Sequence, residues 1–79
     1  MKARRSPIFS AIETGDLSKA KKYLDKSHLF STDKWDFTPL MTAIREGYTE
    51  LAIEMIEKGS NVNHVAGKSG ATPLSIAVM

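Results

Sequence analysis

The sequence predicts an all-α protein, a short solenoid of helix-turn-helix repeats with hairpin loops projecting between the units. A serine or threonine followed by proline and then apolar residues occurs three times, at residues 6–12, 38–44 and 72–78. These sites contain all 3 prolines of the 79-residue chain. Their first residues are 32 and 34 positions apart, which matches the length of a helical repeat unit.

Each unit is predicted to begin with a short helix. The serine or threonine hydroxyl caps free backbone N–H groups, and proline is tolerated at the first helical position. In the second unit, Leu40, Ala43 and Ile44 then form an apolar stripe. Gly47 is expected to end the helix, because glycine adopts the left-handed conformation readily.

A second helix is predicted in the first two units. In the second unit it covers roughly residues 49–58, and its apolar face consists of Leu51, Ala52, Met55 and Ile56. In the first unit the helix starts near Asp16. Its apolar residues are Ala20, Tyr23 and Leu24. Its polar surface is basic and consists of Lys19, Lys21, Lys22 and Lys26.

The segments between units are predicted to be tight loops. Residues 60–71 are rich in Asn, Gly and Ser, and residues 31–37 stand at the equivalent place. The third unit contains only its first helix, so we expect Ile76, Val78 and Met79 to form an uncovered apolar edge. Either the chain is a fragment of a longer protein, or another copy or a partner covers this edge.

The repeated unit resembles the ankyrin repeat, a unit of about 33 residues with a T-P-L-H-x-A signature at its first helix. The signature reads TPLMTA at residues 38–43, TPLSIA at 72–77 and, more distantly, SPIFSA at 6–11. The stretch GSNVN at residues 59–63 is similar to the family's second-helix ending. Two departures stand out: histidine is missing from all three signatures, and Asp36 replaces the usual turn glycine.

The resemblance implies one domain over residues 6–79. It would follow a basic tail at residues 1–5. The expected units are residues 6–37, 38–71 and, incomplete, 72–79.

Catalysis and metal binding are not expected. The chain has no cysteine, and its two histidines, His28 and His64, fall in different segments that we expect to be exposed loops. The carboxylates of Glu50, Glu54 and Glu57 lie opposite the apolar stripe of their helix, where charges are solvated. We therefore predict no enzyme activity and no cofactor.

Binding of another protein is the function that the resemblance implies. In that family, contacts come from the loop tips and from the exposed, concave side of the first helices. The corresponding residues are Lys34, Trp35 and Phe37 in the first loop, Lys68 and Ser69 in the second, and Glu13, Thr14, Arg45 and Glu46 on the first helices. Trp35 has two interpretations. It anchors a partner, or it folds back and closes the core.

Two alternatives to a general interaction module remain. One is a small inhibitor or immunity-type protein that blocks an enzyme or toxin. The other is binding of an acidic partner or a nucleic acid by the first 30 residues, which carry seven Lys/Arg against three Asp/Glu and include Arg4 and Arg5. Nucleic acid is disfavoured because no recognition helix accompanies these cations.

The expected location is the cytoplasm, with no membrane contact. The absence of cysteine fits a reducing compartment. No apolar run approaches the roughly 20 residues that span a bilayer. Self-association through the apolar edge is a further expectation.

Overall fold

A computed structural model describes residues 6–78 of the protein. The basic tail with Arg4 and Arg5, and the last residue, Met79, lie outside these residues. The described part contains helices and no strand. The helices are α1 (Pro7–Thr14), α2 (Leu17–Lys21), α3 (Lys26–Leu29), α4 (Pro39–Glu46), α5 (Thr49–Glu57) and α6 (Pro73–Ala77). The all-α prediction is confirmed.

The helices form two layers. α1 packs against α2 and α4 packs against α5, so each of the first two units contributes a helical hairpin. α1, α4 and α6 follow one another in a row, because α4 packs against both of the others. In the second layer, the Lys21 Nζ of α2 lies 3.3 Å from the Glu54 Oε1 of α5.

The predicted helix starts and stops of the first helices are confirmed. Proline occupies the first turn of α1, α4 and α6, behind a Ser or Thr whose hydroxyl accepts a backbone N–H. For α4 the bond runs from the Met41 N–H to the Thr38 Oγ1 at 3.3 Å. Gly15 and Gly47 end α1 and α4 with φ of 78° and 84°, the left-handed conformation that favours glycine.

The second helix of the first unit differs from the prediction. α2 ends at Lys21, and Lys26 belongs to a separate helix, α3. The carboxylate of Asp25 explains the break, because it accepts the His28 backbone N–H at 3.0 Å and so starts a new helix. Aspartate competes in this way with continuation of a helix that would run through it. The predicted continuous basic surface is therefore divided between two elements.

Two apolar clusters hold the layers together. The first joins the two helical hairpins and includes Phe9, Leu40 and Met55, which are fully or almost fully buried. The second lies between α4, α6 and the loop before α6, and consists of Met41, Ala66 and Ile76. Ile44 packs against both clusters. Burial of Met41 accounts for an apolar residue where the family signature has histidine.

Burial corrects two expectations about apolar residues. Ile76 is buried in the second cluster and does not belong to an uncovered edge. Ile56 was expected on the buried face of α5, yet it is 46% exposed, whereas α6 packs mainly against α4. Within residues 72–78, the exposed large apolar residues are Leu74 and Val78.

Candidate functional site

The first loop ends in a closed turn, residues 33–37, which we call tip 1. The Asp33 N–H donates to the Phe37 carbonyl oxygen, and the Asp36 N–H donates to the Asp33 carbonyl oxygen, both at 3.0 Å. The Asp33 side chain is buried, and its Oδ1 accepts the N–H groups of Trp35 at 2.9 Å and Phe37 at 3.0 Å. One buried carboxylate therefore organises the backbone on which Trp35 is presented.

Lys34 and Trp35 form the outer end of tip 1. The Lys34 Nζ lies 4.5 Å from the centroid of the Trp35 ring, within the range of a cation–π interaction. The Trp35 side chain is 44% exposed. An ammonium group and a half-exposed indole are thus presented side by side.

Phe37 connects tip 1 to the exposed end of α4. It is half-buried and packs against the second apolar cluster. The guanidinium carbon of Arg45 lies 5.6 Å from the Phe37 ring centroid, and the Arg45 Nε lies 3.8 Å from the Glu46 Oε2. The structure therefore places Arg45 next to Phe37 of tip 1, with Glu46 beside Arg45.

The second loop ends in a similar turn, residues 66–71, which we call tip 2. Ala66 and Ala71 close it through an N–H to carbonyl bond of 2.8 Å, and the Ser69 Oγ accepts the Ala71 N–H at 3.2 Å. Ser69 is thus exposed and also stabilises the turn. Lys68 is exposed and stands four residues before Thr72, as Lys34 stands four residues before Thr38.

A cross-link between the two loops runs through Asp36. Its Oδ2 accepts the Gly67 N–H at 2.6 Å, and its carbonyl oxygen lies 2.8 Å from the His64 Nε2. Because a carbonyl oxygen only accepts, the His64 Nε2 must carry the proton. Asp36 itself has a φ of 64°, the left-handed conformation expected at the position of the usual turn glycine. The loops are therefore held in a defined relation to each other.

The remaining predicted residues, Glu13 and Thr14, lie at the exposed end of α1. They are the positional equivalents of Arg45 and Glu46. The Thr14 hydroxyl donates to the Ser10 carbonyl oxygen of the same helix at 2.9 Å. Thr14 is therefore already engaged within α1.

Both histidines are half-buried, which corrects the expectation of exposed loop residues. His28 lies in α3, where its Nδ1 is 2.8 Å from the Asp25 Oδ1 and its ring lies 4.9 Å from that of Tyr23. Hydrogen bonds from the His28 side chain, from Ser27 and from the His28 backbone lower the pKa of Asp25 from 3.8 to about 2. Among the residues that the structure describes, no group of three or more His, Asp or Glu could hold a metal ion.

Sequence reasoning missed three residues that shape this surface: Asp33, His64 and Gly67. The signal for Asp33 was present, because aspartate commonly accepts the N–H two residues later in a turn. His64 and Gly67 act on Asp36 from 28 and 31 positions away, and no local pattern indicates such a pair.

The helical repeat matches a known family. A family model for ankyrin repeats, in 3 copies, matches residues 5–79. The comparison with curated proteins found no match. In residues 6–78, no helix is long and apolar enough to cross a membrane.

Proposed function

The chain belongs to the ankyrin repeat family, and we propose from this premise that it is a non-catalytic module that binds another protein through tip 1, tip 2 and the exposed ends of α1 and α4. Members of this family generally serve as protein-interaction modules. The proposal rests on Trp35, which is half-exposed and lies on a turn whose backbone is fixed by hydrogen bonds to the Asp33 carboxylate.

The turn makes Trp35 suitable as an anchor. Binding loses less conformational entropy when the contact residue is already held in place. Tryptophan and arginine are enriched among the residues that contribute most to binding. Trp35 and Arg45 both lie on this surface, on either side of Phe37 in the sequence.

The test compares capture of proteins from the source cell's lysate by the parent chain and by Trp35→Ala. We expect the partner's affinity to fall tenfold or more, since truncation of a buried interface tryptophan removes about 2 kcal/mol or more. Ile53→Ala is the matched control. It removes an exposed apolar side chain from α5, in the other layer.

The proteins captured by the three chains distinguish binding through tip 1 from binding at another surface. A protein that is retained by the parent and by Ile53→Ala but lost from Trp35→Ala supports the proposal. Equal capture by all three chains would place binding elsewhere, on the basic helix α2 or beside Leu74. Capture of nucleic acid alone, released by salt, would contradict the proposal.

A further inference from the structure

We infer that the surface formed by tip 1 and tip 2 is specific for an acidic peptide segment, one that carries carboxylates beside an apolar side chain. This inference rests on the proposed function, because it names the chemistry of the partner that would bind there. It starts from the way in which the charged groups of the two tips are arranged.

The carboxylates of the tips accept hydrogen bonds within and between the loops. Asp33 is buried and uses its Oδ1 to close tip 1. Asp36 is half-buried, and its Oδ2 accepts the Gly67 N–H at 2.6 Å and lies 3.6 Å from the His64 Nε2. Each carboxylate thus uses one of its oxygens to hold a loop in place.

The cations of the tips face outward. Lys34 and Lys68 are exposed, and no carboxylate of residues 6–78 lies within ion-pair distance of either. Arg45 differs, because Glu46 already lies 3.8 Å from it. An incoming partner therefore meets two exposed ammonium groups that form no ion pair within residues 6–78, and anionic groups complement them.

The two lysines stand at the same position of successive loops. Helices packed against each other, such as α4 and α6, have axes roughly 8–10 Å apart, and the tips precede these helices. Alternate residues of an extended peptide are roughly 7 Å apart. Two nearby carboxylates on one extended segment can therefore reach both lysines with small side-chain adjustments.

Apolar surface lies next to these cations. The Lys34 Nζ sits over the Trp35 ring, which leaves part of the indole open to a partner. Val65 is exposed and directly follows His64, which is bonded to tip 1. An acidic segment with a leucine or aromatic residue would contact both kinds of surface.

The basic part of α2 fits such a segment less well. Lys21 is already paired with Glu54 at 3.3 Å. Lys19 in α2 and Lys22 directly after it are exposed, but α2 contains no aromatic residue, and Tyr23, which follows Lys22, is half-buried. These two lysines provide a control for the effect of charge alone.

The test uses a short fluorescein-labelled peptide in which glutamates flank two leucines, with a second peptide that carries glutamines in their place. Binding is measured by fluorescence anisotropy. Two double variants are compared, Lys34→Gln with Lys68→Gln, and Lys19→Gln with Lys22→Gln. Each takes the formal net charge of +2 to zero, since each removes two lysines.

We expect the glutamate peptide to bind the parent and to bind the tip variant roughly tenfold more weakly, whereas the α2 variant changes affinity less than about twofold. Salt raised from about 0.05 to 0.3 M should weaken the parent's binding. Circular dichroism and urea midpoints check that both variants fold as the parent does.

Three results would overturn the inference: equal losses in the two variants, equal binding of the glutamine peptide, or no binding of the glutamate peptide to the parent. The proposed function is tested separately. A captured protein that depends on Trp35 but binds the tip variant as well as the parent would leave that function standing and refute only the acidic specificity.

Discussion

At the scale of single residues, the surface depends on two aspartates with different tasks. Asp33 closes its own turn, whereas Asp36 reaches the following loop. Asp36 also adopts a positive φ, which costs a non-glycine residue some backbone strain. The bond to Gly67 offsets that strain, and this is a physical reason for aspartate where the family usually has glycine.

The substitution Asp36→Gly separates the backbone strain at this position from the hydrogen bond to Gly67. Glycine accepts the φ of 64° without strain, so the backbone of tip 1 should persist while the bond to Gly67 is lost. We expect amide hydrogen exchange at Gly67 to accelerate roughly tenfold, the effect of losing one hydrogen bond to a charged acceptor. Two-dimensional NMR measures this exchange residue by residue.

Asp36→Asn is the control for this experiment. Asparagine tolerates the left-handed conformation and keeps an acceptor oxygen, so protection of the Gly67 amide should largely remain. Unchanged exchange in Asp36→Gly would show that Asp36 does not hold the second loop.

At the scale of elements, the break between α2 and α3 shows how one side chain divides a helix. The chain narrows into a shorter turn after α2, because the Tyr23 N–H donates to the carbonyl oxygen of Ala20, only three residues earlier, at 3.0 Å. Asp25 then accepts the His28 N–H and starts α3. The first unit is therefore less regular than the second, in which α5 runs unbroken from Thr49 to Glu57.

The stability of the N-terminal end of α3 is expected to decrease at low pH. The pKa of Asp25 is lowered from 3.8 to about 2, so its carboxylate contributes stability that is complete above about pH 4 and is lost as the pH falls toward 2. The carboxyl carbon shift of Asp25, followed by NMR, should titrate with a midpoint near 2.

His28→Ala tests the cause of this shift. The His28 side chain is the largest contributor, so its removal should raise the Asp25 midpoint toward 3.8. A parent midpoint already near 3.8 would contradict the arrangement of Asp25, Ser27 and His28.

At the scale of the whole molecule, stability comes from stacking of the units. The first apolar cluster spans the two helical hairpins, and the second ties α6 to α4. Ile44 contacts both, so the third unit is coupled to the others through α4. Repeat arrays are stabilised in this way, by each unit and by its contacts with its neighbours.

Leu40 and Leu74 test this stacking because they occupy the same position in the second and third units. Leu40 is 1% exposed, whereas Leu74 is 73% exposed. Leu40→Ala should lower the free energy of unfolding by about 2–5 kcal/mol, because it leaves a cavity in the core. Leu74→Ala should change it by less than about 0.5 kcal/mol.

Urea unfolding followed by circular dichroism measures both variants against the parent. Similar losses for the two leucines would contradict the described packing of the third unit. A loss in Leu40→Ala so large that the chain no longer folds would still agree with the expectation, because a domain of this size has a small margin of stability.

The sequence by itself determined the repeat, the family and the starts of the three first helices. Thr38 shows why: its cap involves a residue only three positions away, so the local pattern contains both partners. The exposure of Trp35 did not follow in this way, because the local pattern also allowed a side chain folded back over the core, and the structure leaves Trp35 44% exposed.

Only the tertiary structure decided which apolar residues are covered and how the two tips are joined. Ile76 is buried because α6 packs against α4, a contact between separate units, whereas Ile56 on α5 stays 46% exposed. The bonds of Asp36 to His64 and Gly67 also cross from one loop to the next. The sequence pattern predicts which face of a helix a residue occupies. Whether that face is buried, and which distant residues it contacts, depends on how the units stack.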